Sequence, residues 1–121
     1  MKIGELAAKT GLTAHTIRYY ERIGLLPFAL RDASGQRSFD ASILKWIAFL
    51  SRLKATGMPI RDMQRYARLR EQGECTNDER QTLLIEHRKK VRTHMAELQA
   101  SLLVLDEKIN SYSSVHEGQK P

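Results

Sequence analysis

A guanidinium at Arg18, hydroxyls at Thr13 and Thr16 and an imidazole at His15 fall within the single stretch TAHTIR. A guanidinium is a permanent cation that pairs with a phosphate or with the acceptor edge of a base. A hydroxyl or imidazole can donate to a base edge or accept from it, although neither reads one base uniquely. The plainer alternatives are a surface ion pair between Arg18 and Glu21, which stabilises little, and a solvent-facing His15 at a helix start. A second kind of chemistry is offered by the only thiol, Cys75, next to Thr76 and Glu79, which have the spacing of a capping box. A helix N-terminus favours thiolate, so Cys75 is a candidate effector thiol. Its competing reading is an inert, half-exposed cysteine.

Catalysis finds no foothold. His15, His87, His94 and His116 are scattered, and there is no phosphate-cradling glycine loop, HExxH pattern or paired-acid constellation. The chain is therefore read as a non-enzyme with no catalytic residue. Soft metals want paired thiolates and iron–sulfur clusters want four, so one cysteine argues against a metal sensor, and no cofactor is expected. A mixed Cys75–His116 site shared between subunits is the remote alternative.

The chain's 121 residues carry a formal charge of +6 and are 41% hydrophobic. Residues 1–70 hold 13 Lys or Arg against 5 Asp or Glu, whereas residues 71–121 hold 7 against 9. A basic first half invites a polyanion, and nucleic acid draws much of its affinity from neutralised phosphates. No apolar run approaches the ~18 residues of a membrane span, and the start MKIGELAAKTGL has no secretory pattern. The expectation is a cytoplasmic protein with no membrane partner.

Among the elements that would position these groups, Ile3 to Lys9 has helical spacing, with Gly11 as a left-handed terminator. Thr13 caps a second helix, Ala14 to Arg22, whose apolar side is Ile17, Tyr20 and part of Tyr19, and Gly24 ends it. Helix, glycine turn and short helix make helix-turn-helix geometry. Leu30–Arg31 and the strand from Arg37 to Phe39 pair as a short hairpin around the turn Asp32–Gly35. Asp40 reads as the N-cap of a helix from Ala41 to Thr56, buried along Ile43, Leu44, Ile47, Leu50 and Leu53, with Trp46 and Phe49 widening the stripe. After Gly57, Pro59 suits the first turn of a helix carrying Ile60, Met63, Tyr66, Ala67 and Leu69.

Beyond a polar break at Gly73 lies a heptad seam. Leu84, Val91, Leu98, Leu105 and Tyr112 recur every seven residues, with Arg88, Met95, Leu102 and Ile109 between them. A helix from Thr76 to Tyr112 is about 55 Å long, more apolar edge than a small head can cover. The partner helix must come from a second copy, unless the helix folds back over its own head. Leu84, Val91, Met95, Leu98, Leu102, Leu105, Ile109 and Tyr112 are the expected dimerisation residues.

The stretch IGELAAKTGLTAHTIRYYERIGLL, above all Arg18-Tyr19-Tyr20-Glu21 followed by Gly24-Leu25-Leu26, resembles the opening of the mercury-resistance regulator (MerR) family of winged-helix transcription regulators. SGQRSF is similar to that family's wing, and FLSRLKATGMPIRDM to its second wing and following helix. The likeness extends in kind over residues 1–112 and is that of the small, non-metal-sensor members. It implies a homodimer on an antiparallel coiled coil, bound to palindromic double-stranded promoter DNA. It further implies that the dimer distorts the spacer of a long promoter and so acts on RNA polymerase indirectly. It associates such small members with electrophile or oxidative stress, for which Cys75 would be the thiol, and it does not distinguish activation from repression.

By the same resemblance Tyr19 touches the DNA backbone, Glu21 braces Arg18 or the wing, and Arg37 is the wing arginine. Arg31 and Arg61 extend its basic rim, and the helix start at Pro59 offers backbone amides to a phosphate. The family's wing aromatic is replaced by Gln36, and Phe39 stands where tyrosine is commoner, able to pack but with no hydroxyl for a phosphate. The expected DNA-binding set is thus Thr13, His15, Thr16, Arg18, Tyr19, Arg31, Gln36, Arg37, Phe39, Pro59 and Arg61. The expected fold is mainly α. Residues 1–70 form a winged helix-turn-helix head, 71–75 a hinge, 76–112 the coiled-coil helix and 113–121 a flexible tail. A protein-only dimerisation adaptor, and a repressor without a small-molecule effector, are the alternatives.

Overall fold

In the computed structural model, the described residues are 1–27 and 29–118, apart from the side chains of Leu30, Arg37 and residues 114–118. Helix α1 (Ile3–Thr10) ends on Gly11, whose φ of 76° lets its amide turn back onto the Ala7 carbonyl. Helix α2 (Ala14–Arg22) starts where Thr13 adopts extended backbone and its hydroxyl accepts the Thr16 amide at 3.0 Å. Strands β1 (Leu30–Arg31) and β2 (Arg37–Ser38) pair antiparallel, Leu30 opposite Ser38 and Arg31 opposite Arg37. Helices α3 (Ile43–Ala55) and α4 (Ile60–Glu71) follow, then a 3-10 turn over Glu74–Thr76 and the long α5 (Asn77–Gly118). The fold is mainly α, a winged helix-turn-helix head with a long C-terminal helix.

Two compact units divide this chain, Met1–Leu84 and the remainder from Ile85. The first has its own core, in which Leu6, Ile17, Leu25, Leu26, Ile47, Leu50 and Met63 are fully enclosed. Its aromatic centre is Trp46 stacked on Tyr66, rings 5.8 Å apart and 13° from parallel, with the Arg70 guanidinium 4.4 Å from the Trp46 ring. Two long-range hydrogen bonds fasten the turn after α2: the Trp46 indole donates to the Leu25 carbonyl, and the Gln64 amide nitrogen to the Ile23 carbonyl, each at 2.8 Å. They fix the C-terminal end of α2 to α3 and α4. Replacing Trp46 with phenylalanine strands the buried Leu25 carbonyl, so stability should fall by about 1–3 kcal/mol in a urea titration. An unchanged midpoint would show that water replaces the indole.

Several local expectations shift. α3 opens at Ile43, two residues after Ala41, because the chain first makes a tight turn. The Asp40 carboxylate accepts the Ser42 amide at 3.2 Å and its carbonyl the Ile43 amide at 3.1 Å. Pro59 is the N-cap of α4, with extended ψ of 148°, and not its first helical residue. Ile60 is exposed, since α4 turns Met63, Tyr66, Ala67 and Leu69 inward.

Thr76 forms no capping box with Glu79. It is buried, its hydroxyl points back to the Leu69 and Gly73 carbonyls at 2.6 and 2.8 Å, and it accepts from Arg80 Nε at 3.0 Å. The end of α4 thus takes the hydroxyl that sequence spacing had reserved for α5. Leu83 joins the head's core, while Leu84, the first seam residue, is partly buried against it.

From Ile85 onward α5 is one uninterrupted helix that continues beyond Tyr112 to Gly118. Met95, Leu98, Leu102, Leu105, Ile109 and Tyr112 lie 56–66% exposed along it. Val91 is half-buried. Among the described residues no helix is long and apolar enough to cross a membrane.

Candidate nucleic-acid interface

Burial divides α2 into two faces. Ile17, Tyr20 and Glu21 are buried, which leaves His15, Arg18 and Arg22 on the outer side, with Tyr19 at the boundary. These outer positions follow the three- and four-residue spacing of one helical face. Arg22 was not foreseen; its guanidinium lies 5.3 Å from the centre of the Tyr19 ring. Its spacing from Arg18 and Tyr19 was the signal available. The Thr13 hydroxyl is consumed by capping, since it accepts the Thr16 amide and donates to the Thr16 hydroxyl at 3.0 Å. Thr13 therefore holds the first turn and aligns Thr16, while exposed His15 keeps its ring available.

Glu21 braces the wing. Its side chain is buried, and Oε2 accepts the Ala29 amide at 2.6 Å, just before β1. At the wing's other end Phe39 pairs with Met1 through the main chain, each amine or amide donating to the other's carbonyl at 2.6 Å. The Phe39 side chain is only 4% exposed and belongs to the core. It is removed from the DNA-binding set: a ring enclosed by the head cannot meet a duplex.

The wing turn is organised by Asp32. Its Oδ1 accepts the Ser34 hydroxyl at 2.7 Å, the Ser34 amide at 2.9 Å and the Gln36 amide at 3.0 Å. Its Oδ2 lies 3.0 Å from Lys2 Nζ. The Ser34 hydroxyl first, then Lys2 and the Gln36 amide, hold the Asp32 carboxyl well below the usual carboxylate range. Arg31 spans the turn, donating to the Gly35 carbonyl at 2.8 Å.

These elements meet in an open cleft of about 510 Å³ lined by Lys2, Ile3, Arg18, Arg31, Gly35 and Gln36. Three cations from α2, the wing and the start of α1 thereby share one concave surface. Arg18, Arg31 and Gln36, all in the DNA-binding set expected from the sequence, line it together with Lys2, which that set did not include. Pro59 and Arg61 do not line this cleft. Both are exposed, and Arg61 Nε is 4.0 Å from the Asp62 carboxylate, an acid in the first turn of α4 that competes with any phosphate there. The Arg37 and His116 side chains lie outside the described residues. Cys75 is exposed, with its thiol 3.4 Å from the Gln72 carbonyl. Among the described residues no three of His, Cys, Asp and Glu gather as a metal site.

Known proteins resemble this chain in sequence and fold. Residues 2–39 match the family described as "MerR family regulatory protein", and residues 44–108 match "MerR, DNA binding". An HTH-type transcriptional regulator of Haemophilus influenzae is 39% identical over 88% of this chain and 78% of its own. A MerR family transcriptional regulator from Listeria monocytogenes superposes with a TM-score of 0.87 at 39% identity, over 93% of this chain and 86% of that one. HiNmlR, a MerR family regulator lacking the sensor domain and solved bound to promoter DNA, gives a TM-score of 0.83 at 35% identity, over 96% and 92%. The chain belongs to the MerR family of helix-turn-helix, DNA-binding transcription regulators.

Proposed function

We propose that this regulator binds a palindromic promoter site as a homodimer and distorts the spacer DNA between the promoter elements to control transcription. The observation that carries this reading is the cleft in which Arg18 of α2 meets Arg31 and Gln36 of the wing. A helix that reads a groove needs a neighbour that holds the adjacent backbone, and basic groups on both supply register and affinity together. The likeness to HiNmlR, itself bound to promoter DNA, supports promoter DNA as the ligand.

In this reading His15 and Thr16 approach base edges, with Thr13 fixing the turn that carries them. Arg18 takes a phosphate or a base edge, Tyr19, Arg31, Gln36 and Arg37 hold the backbone, and Pro59 and Arg61 add a flanking phosphate contact. Residues 1–70 do the reading, 71–75 serve as a hinge and 76–112 join the two copies, leaving 113–121 as a tail. The exposed row from Met95 to Tyr112 supports an antiparallel coiled coil, begun at Leu84 and Val91. Two heads at a fixed separation meet two half-sites on one face of the duplex, and bending or untwisting the spacer makes DNA deformability part of recognition. Polymerase is reached indirectly, through the altered promoter.

Footprinting and gel-shift titration on the protein's own upstream region test this. Two symmetric protected half-sites, bound orders of magnitude more tightly than random duplex, are the expected result. Equal affinity for both duplexes would overturn the reading and favour an adaptor that only dimerises.

Cys75 is the proposed input, as an exposed thiol that electrophiles alkylate. Alkylation should change promoter output in the original protein, and Cys75→Ser should abolish that response while leaving basal binding unchanged. An identical electrophile response in the Cys75→Ser protein would remove the thiol from the mechanism and leave a repressor or activator without that effector.

A further inference from the structure

Met1 and Lys2 are both bonded to the wing. Met1 is paired through its main chain with Phe39, at the wing's end. Lys2 reaches the wing's tip, with Nζ 3.0 Å from Asp32 Oδ2 and also donating to Gln36 Oε1. Asp32 is the only carboxylate between Leu30 and Phe39. Both its oxygens are occupied, one by the turn's own amides and the Ser34 hydroxyl, the other by Lys2. Lys2 also lines the cleft beside Arg18 and Arg31.

We propose that Lys2 is a positioning residue for DNA recognition: by gripping Asp32 and Gln36 it holds the wing tip in register with α2 and cancels the wing's one negative charge. The proposal rests on the DNA-binding reading above. An unopposed carboxylate in a surface meant for phosphates repels the ligand, and a wing fastened only at its base is free to swing at its tip. Both consequences arise without Lys2 touching DNA. The bridge itself adds little to stability, because the Lys2 and Asp32 side chains are 59% and 30% exposed. Its effect is on placement and charge.

A double-mutant cycle separates this role from a direct phosphate contact. Promoter affinity is measured across a salt series for the unsubstituted protein, Lys2→Met, Asp32→Asn and the double variant, with Lys2→Arg as the conservative replacement. The side-chain carbonyl that Asp32→Asn introduces can still accept the Ser34 and Gln36 amides, so the turn survives. Lys2→Met is expected to weaken binding about five- to tenfold, but only about twofold or less once Asp32 is neutral. With Asp32 neutral, Lys2→Met should leave the salt slope unchanged, and Lys2→Arg should restore wild-type affinity. Exchange of the Gln36 amide in the free protein should rise severalfold in Lys2→Met, with the melting temperature unmoved.

The same loss in both backgrounds, with the salt slope reduced by about 1, would make Lys2 a phosphate contact and overturn the proposal. Unchanged affinity in Lys2→Met would also overturn it. If the unsubstituted protein shows no preference for its promoter, the DNA-binding reading fails instead. The Gln36 exchange rate then decides whether Lys2 holds the wing, and an unaltered rate in Lys2→Met would show that it does not.

Discussion

Replacing Leu98 and Leu102 together by aspartate is expected to leave a monomer at micromolar concentration and to weaken promoter binding by at least about a hundredfold. Both leucines are 56% exposed on the chain alone, so the substitution takes nothing from the head's core. In a paired helix each would be worth about 1.5–3 kcal/mol on full burial, and a dimer would lose four such side chains. It would also gain four facing carboxylates, whose desolvation in an apolar seam is costly. The helix itself should persist, because aspartate at an exposed interior position costs no more than about 0.7 kcal/mol of helix propensity. Sedimentation reads the association state, far-ultraviolet circular dichroism the helix, and gel shift the loss of avidity. A variant that still sediments as a dimer with full promoter affinity would refute pairing through this seam and direct attention to another surface.

The second large effect is expected from Arg18→Met. Arg18 is exposed on α2, flanked inward by buried Ile17, so its loss leaves the helix seated. Removal of a guanidinium from a duplex contact costs about 1–3 kcal/mol, or about five- to 150-fold in affinity. The salt series then identifies the contact. A slope smaller by about 1, with equal loss on every sequence, assigns Arg18 to a phosphate. An unchanged slope with relaxed preference at one base pair assigns it to a base edge. Wild-type affinity in this variant would exclude Arg18 from the interface altogether. The fold turns Glu21 inward against the wing base while leaving Arg18 outside, which weighs against the surface ion pair that their spacing suggests.

That pair illustrates how far the chain could be read from its residues. Arg18 and Glu21 are three apart, so proximity along the helix suggested an ion pair. The wing, eight residues further on, supplied Glu21 with a partner in the Ala29 amide. Thr76 repeats the lesson, since its spacing from Glu79 suggested a cap and packing gave its hydroxyl to the end of α4. Phe39 was read as part of the interface by position in the wing and was buried by its environment.

What the sequence alone determined was encoded within a turn or two of backbone, or in a repeating period. The Thr13 cap, the limits of α2, the left-handed Gly11, the antiparallel hairpin and the apolar period of α5 are all local. Each depends on a hydrogen bond or steric preference between residues at most a few positions apart, or on a period that repeats. Only the tertiary structure decided which side chains share the cleft, that Lys2 reaches Asp32 and Gln36, and that Leu83 enters the core. The long-range hydrogen bonds of the head join residues far apart in the chain, as with Trp46 and Leu25 at 21 positions, Lys2 and Gln36 at 34 and Gln64 and Ile23 at 41. No local preference encodes them, because they form only when packed elements bring distant side chains within hydrogen-bond reach.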